Sequence, residues 1–323
     1  MFFKRGMLVT QAILLNMVQL LTVLLLAPLV KGWINRSNAL FQSRRGPSVW
    51  QPYYDIFKLL RKDSVIPEQA SWIFTFAPYI YFTVPLVVAL LIPVLTTFPL
   101  FMAFMGDMQG GGFILSLGGF FLVLAALDTG SAFCGLGSSR ARFVSFMAEP
   151  VLMLVFFTVS LVAQSTIPYI VNQAFAGPAL ILAPSHILVV LAFFLVVLAE
   201  IGRIPVDNPA THQEPSMIDE GRTMEHSGRH LGLLRWGADM KLFVLLTIWL
   251  NVLVTPWGLV GSAAPLAVAL AITALLGKMA VAAFLIAFIE GCFAKLRLLR
   301  IAEYLGAAFV ISLLAVITYT MGI

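Results

Sequence analysis

Charge is what this sequence has least of: 11% of its 323 residues are Asp, Glu, Lys or Arg, against the roughly 25% usual in soluble domains. With 60% hydrophobic residues and a mean hydropathy of +0.97, that scarcity excludes a soluble globular protein and a disordered chain alike. Cysteine is nearly absent as well. Cys134 and Cys292 stand far apart with no CxxC, so no zinc or iron–sulfur ligand spacing occurs and no redox centre or cofactor is expected in this chain. A Gly-rich phosphate loop, a nucleophile elbow and a catalytic triad are also missing. No internal repeat, low-complexity segment or independently folding soluble domain is visible, so residues 1–323 read as a single membrane domain. A net charge of +5 in a soluble protein would point to nucleic acid; here the placement of the cations excludes that partner.

What is present is apolar length. Runs fall at about 7–31, 73–97, 113–134, 143–166, 184–200, 238–261, 264–289 and 301–321, which predicts an all-α polytopic protein with eight membrane helices. Strands of a membrane barrel would be about ten residues long with alternating polarity, and these runs are neither. Residues 1–6 lead into the first run without a small-residue cleavage site, so that run reads as a retained span.

The basic residues orient the bundle. They cluster in four stretches: Lys31 to Lys62, Arg140 with Arg142, Arg203 to Arg235, and Lys295 to Arg300. Outside them stand only Lys4, Arg5, Lys241 and Lys278, and the loops around 98–112, 167–183 and 255–264 hold no Lys or Arg. The positive-inside rule places the four basic stretches in the cytoplasm and both termini on the other side. The two long connections, 32–72 and 201–237, then share one face, where partners or chemistry are to be sought.

In the first connection, Gly46-Pro47 breaks any helix continuing from the first span and Pro52 marks a second turn. From Tyr53 the pattern is amphipathic: Tyr53, Ile56, Phe57 and Leu60 share an apolar face, with Asp55, Lys58, Arg61 and Lys62 off it. Such a helix either lies in the interface with its cations on lipid phosphates or also lines a docking surface. The second connection gathers Glu200, Asp207, Glu214, Asp219, Glu220 and Glu225 among three prolines. It reads as a hydrated acidic funnel partly buried under a partner, or as a solvated loop paired to Arg203, Arg222 and Arg229.

Asp128, Glu149, Glu200, Asp239, Lys241, Lys278 and Glu290 sit within or at the edges of spans, where ionisable groups are expensive and mark ion or proton paths. Glu149 is the leading candidate: six residues inside the fourth expected span and just before Pro150, which frees a backbone carbonyl. Asp128, Glu200, Asp239 and Glu290, nearer the ends, also suit pairing with the basic stretches. His226 and His230 are four apart, but Ser227-Gly228 intervenes, and they read as surface histidines rather than metal ligands.

At these connections the chain resembles the membrane subunit 1 family shared by respiratory complex I and the energy-converting nickel–iron hydrogenases, from about residue 30 to 305. Arg45-Gly46-Pro47, Gln51, Asp55, Lys58-Leu59-Leu60 and Pro67 fit the first signature; Leu136-Gly137, Arg140 and Glu149 fit the second. Glu200, Arg203, Pro205, Asp207, Glu214, Glu225, Ser227 and Gly228 fit the third. The segments 127–140, 204–212, 227–230 and 294–306 resemble the formate hydrogenlyase anchor. Val206 replaces a phenylalanine, and Ala210 and His212 replace two glutamates, of the quinone-reducing members; His226 stands where a tyrosine is usual.

The resemblance implies a non-catalytic anchor in a bacterial or archaeal cytoplasmic membrane. It would dock a hydrogenase large subunit, a small subunit and a ferredoxin-like iron–sulfur subunit, carrying the [NiFe] centre and the clusters, onto antiporter-like membrane subunits. It further implies an ion path of Glu149, Glu200, Asp207, Glu214, Glu225 and Asp128, and a docking set of Arg45, Gln51, Asp55, Lys58, Arg140 and Arg203. The alternatives are a quinone-site subunit of a complex I-like enzyme and an independent secondary transporter; the latter predicts inverted repeats, which the sequence lacks.

Overall fold

The computed structural model describes residues 9–100, 106–177, 183–208, 217–262 and 264–322. Among them the chain is helical: α1 Val9–Phe41, α2 Gln51–Leu60, α3 Trp72–Leu91, α4 Met108–Asp128, α5 Ala132–Ala163, α6 Pro168–Phe175, α7 Pro184–Glu200, α8 Gly228–Thr247, α9 Pro265–Cys292 and α10 Leu298–Thr320. A 3₁₀ turn covers Glu220–Thr223, and α8 runs on into a π-helix over Ile248–Val254. The protein is an all-α, multi-pass membrane protein. Seven helices are long and apolar enough to cross a membrane. The eighth expected span is present as α7, but its 17 residues cover only about 25 Å at 1.5 Å per residue.

Several ends differ from the apolar runs, for identifiable reasons. Helix α3 stops at Leu91 instead of about 97, and the π-helix stops at Val254 instead of about 261. Each halt precedes a proline: Ile92 before Pro93 is extended (φ −104°, ψ 155°) and Thr255 before Pro256 leaves helical geometry (φ −136°, ψ 73°). The freed segments pair with each other, Thr97 N donating to Val260 O at 3.0 Å and Val260 N to Leu95 O at 2.8 Å. At the other side, α5 starts eleven residues before its apolar run, so Arg140 and Arg142 lie on a helix and not in a loop, and Glu149 sits near the middle of a 32-residue helix.

The helix formed by α8 and its π continuation is the axis of the bundle: 89% of its most apolar window is buried, against 28–44% for the other six spans. It packs on α1, α2 and α3, while α10 closes the far flank against α5 and α7. Helix α2 begins with Pro52 in its first turn, where a missing N–H costs nothing. Its buried face holds Pro52 and Ile56, whereas Phe57, expected on that face, is exposed. The short amphipathic helix is fixed through Tyr53, whose hydroxyl donates to the Leu25 carbonyl of α1.

Two signature glycines have steric causes. A Cβ on Gly137 of α5 would lie 2.6 Å from the Gly221 carbonyl carbon, so the 3₁₀ turn seats directly on the helix backbone. Gly228 opens α8 with φ +51° and leaves no room for a Cβ, which would fall 2.1 Å from the Asp63 carbonyl oxygen.

Candidate functional site

Helices α4, α5, α7, α8 and the 3₁₀ turn enclose a cavity lined by Ser116, Arg142, Glu149, Glu200, Asp207, Asp219, Arg222 and Lys241 among apolar neighbours. Its non-atom space, including open solvent, is about 600 Å³, of which the part open to water centres holds roughly two molecules. Arg142 stands at its edge, 5.8 Å above the Phe120 ring.

Nearly every buried charge here has its own counter-charge. Lys241 Nζ of α8 lies 2.7 Å from Glu200 Oε2 at the end of α7. Arg222 pairs with Asp219 within the 3₁₀ turn. Asp207 takes Lys295 Nζ at 2.6 Å together with the backbone N–H groups of Asn208, Ile218 and Asp219 at 2.8, 3.3 and 3.0 Å. Behind the cavity, Arg203 holds Glu290 at 3.2 Å, with Asn38 donating to the same carboxylate. Lys31 approaches Asp239 to 3.0 Å, a close contact of charges whose angle does not make a hydrogen bond. Glu149 is different. No basic side chain lies within ion-pair distance of it among the described residues; around it stand the Ser116 hydroxyl, the charge of Glu200 and, farther than an ion pair, the cations Arg142 and Lys241. Pro150 beside it leaves the Phe146 carbonyl without its helical donor.

Of the expected ion path, then, Glu149, Glu200 and Asp207 share one cavity. Asp128 does not join them: it ends α4 and accepts the Ser71 N–H at 2.6 Å, clasping the start of α3. Glu225 is exposed beyond the 3₁₀ turn, and Glu214 lies outside the described residues. Of the docking set, Arg45 and Lys58 are exposed, and Gln51 donates to Asp55 at 2.9 Å along α2. Arg140 is half-buried on α5. Arg203 is 3% exposed and bound to Glu290, which removes it from any outer surface. Lys241, Asp219 and Ser116 were not among the expected site residues. A cation just inside the apolar run that starts at about residue 238 was the available signal for the first of them.

The two histidines are buried and not on the surface. His226 stacks on Phe74 at 4.0 Å between ring centroids and 8° between planes, with neither ring nitrogen bonded. Burial, with His230 nearby, lowers its pKa to about 4. Between the ordinary value of 6.5 and 4, the unfolded chain therefore takes up a proton that the folded chain refuses, so stability falls as pH is lowered through that window. Thermal unfolding of the wild type should show this slope, and His226→Phe, which keeps the stacking, should flatten it. An equal slope in the variant excludes His226 as its source. Among the described residues, no group of three His, Cys, Asp or Glu side chains is placed to hold a metal ion.

Known proteins of similar sequence are membrane-complex subunits. Formate hydrogenlyase subunit 4 of Escherichia coli (strain K12) is 32% identical over 289 residues, 89% of this chain and 92% of that protein. Hydrogenase-4 component C of the same organism is 32% identical over 315 residues, covering 96% and 97%. An NADH-quinone oxidoreductase subunit of Rickettsia prowazekii (strain Madrid E) is 30% identical over 236 residues, covering 66% and 64%. The fold is shared with a chain of the membrane-bound sulfane sulfur reductase, an archaeal respiratory membrane complex, at a TM-score of 0.79 and 22% identity, over 95% of this chain and 98% of that one. The model of the NADH dehydrogenase family matches residues 14–321, and with nearly the whole of its length so matched, this chain belongs to that family, the membrane subunit 1 family.

Proposed function

We propose that this chain is the non-catalytic membrane anchor and ion-coupling subunit of a formate hydrogenlyase-like nickel–iron hydrogenase complex in a bacterial or archaeal cytoplasmic membrane. Its partners are a hydrogenase large and small subunit and a ferredoxin-like subunit, which carry the [NiFe] centre and the iron–sulfur clusters, and antiporter-like membrane subunits. The observation that carries the reading is coverage: both hydrogenase relatives match about nine-tenths or more of the chain, the NADH-quinone oxidoreductase relative about two-thirds.

The cavity supports a coupling role. It lies beside the connection that the docked arm would cover, and it holds one carboxylate, Glu149, whose protonation breaks no ion pair. Beyond Lys241 the axis is dry: Leu242 to Leu246 are fully buried apolar residues, and the Thr247 hydroxyl is satisfied by the Phe243 carbonyl at 2.8 Å. An ion entering the cavity therefore leaves sideways, toward neighbouring membrane subunits, and not straight through this chain.

Purification of the complex through a tag on this chain, with a census of subunits and metals, tests the assignment. A co-purifying large subunit with two CxxC pairs and stoichiometric nickel is expected. A large subunit lacking those cysteines, with bound quinone and no nickel, would replace it with the complex I-like reading that the NADH-quinone oxidoreductase relatives favour.

A further inference from the structure

The ion pairs also leave a half-buried lysine without a counter-ion, at the opposite end of the axis. Lys278 lies twelve residues before Glu290, the other charge of the apolar helix α9, and no carboxylate is within ion-pair distance of it among the described residues. Its ammonium is held by oxygens only: Asn251 Oδ1 at 3.0 Å, the Thr255 carbonyl at 2.7 Å and the Trp257 carbonyl. These three acceptors match the three donors of an ammonium group. They belong to the last turn of the π-helix and the irregular chain after it, where the unpaired carbonyls at a helix C-terminus concentrate negative potential. Unwound backbone carbonyls of this kind are how membrane proteins coordinate bare monovalent cations.

The cage is braced from several sides and does not depend on Lys278 alone. Asn251 spends its amide nitrogen on the Pro93 and Val94 carbonyls at 3.1 and 2.9 Å, which turns its Oδ1 to the lysine. Asn172 of α6 donates to the Asn251 and Pro256 carbonyls at 2.6 and 3.2 Å, and His186 of α7 meets the Leu253 carbonyl at 2.9 Å. Gly258 turns the chain beside the lysine with φ +83°, a left-handed conformation that favours glycine.

We propose that the π-turn of α8 and the connection after it form a monovalent-cation cage, and that Lys278 is a tethered cation that fills and seals it. Removal of the tether leaves a site for a free cation of ammonium size, such as methylammonium or potassium. This assignment is independent of which complex the chain serves.

The test uses the full chain purified with whatever partners accompany it, in choline, potassium or methylammonium chloride. Wild-type melting is expected to be the same in all three salts. Lys278→Ala in choline is expected to melt at least about 5 °C lower, because it strands the three oxygens that the ammonium satisfies. Methylammonium or potassium should restore half of the loss or more, which a merely structural lysine does not predict. Equal melting of the variant in all three salts overturns the proposal, as does wild-type stability of Lys278→Met in choline. If Lys278→Ala does not accumulate, Lys278→Ser is measured in the same salts. Failure of both to accumulate with methylammonium or potassium supplied during growth also overturns it.

Discussion

Glu149→Gln is expected to leave the complex assembled and turning over while cutting ion movement by at least about tenfold, equivalent to about 1.4 kcal/mol or more on the transfer step. The substitution keeps the shape of the side chain and an acceptor for Ser116, and it disturbs no ion pair, because Glu149 has none. It removes the one group in the cavity that can gain and lose a proton without stranding a buried cation. The same change at Glu200 is not equivalent. It leaves the Lys241 ammonium, 12% exposed, without its partner, and a buried charge stripped of its counter-charge costs about 3–5 kcal/mol. Glu200→Gln should therefore lower the melting temperature as well as ion movement, whereas Glu149→Gln should lower ion movement alone. Sealed vesicles of the intact complex, with redox turnover and pH or sodium gradients followed together, separate the two. Tight coupling retained in Glu149→Gln would remove Glu149 from the path.

The number and order of the eight apolar helices were legible in the amino-acid sequence, though the short α6 was not, because membrane burial depends on local apolarity, which is additive along the chain. Their ends were not. The apolar runs continue past Pro93 and Pro256, so hydropathy extends both helices into segments that proline forbids. Hydropathy equally cannot detect the first eleven residues of α5, which are helical but carry Arg140 and Arg142. Glu149 stood out in the sequence as an acid inside an apolar run, and it also stands out in the fold. The pairings did not stand out: Lys241 finds Glu200 41 residues away and Arg203 finds Glu290 87 residues away, choices made by helix packing. Arg203 shows the cost of that blindness, since a basic residue in a polar connection reads as surface until the fold buries it. The histidines show the reverse, two polar side chains in a polar stretch that are interior because Phe74 and Tyr79 of α3 receive them.

Asp207 is where placement and role part company, and the second large effect is expected there. It lines the cavity with Glu149 and Glu200, as a relay member would. Yet its two oxygens are fully occupied by Lys295 and the N–H groups of Asn208, Ile218 and Asp219. Those bonds bring residues 207 and 218–219 of the second connection together and tie them to the chain before α10. Asp207→Ala removes an acceptor that four donors share. With about 1–3 kcal/mol for each buried N–H that loses this acceptor, the loss is a large part of the stability of a typical domain. Little assembled complex is therefore expected from Asp207→Ala. A double variant, Asp207→Asn with Lys295→Met, keeps an acceptor for the backbone groups and removes the cation that Asp207 faces, so it should recover much of the assembly. If Asp207→Ala instead assembles and melts like the wild type while ion movement is lost, Asp207 is a relay carboxylate and its hydrogen bonds are incidental. Recovery in the double variant, with ion movement restored alongside it, would make Asp207 the clasp that holds the second connection over Glu149.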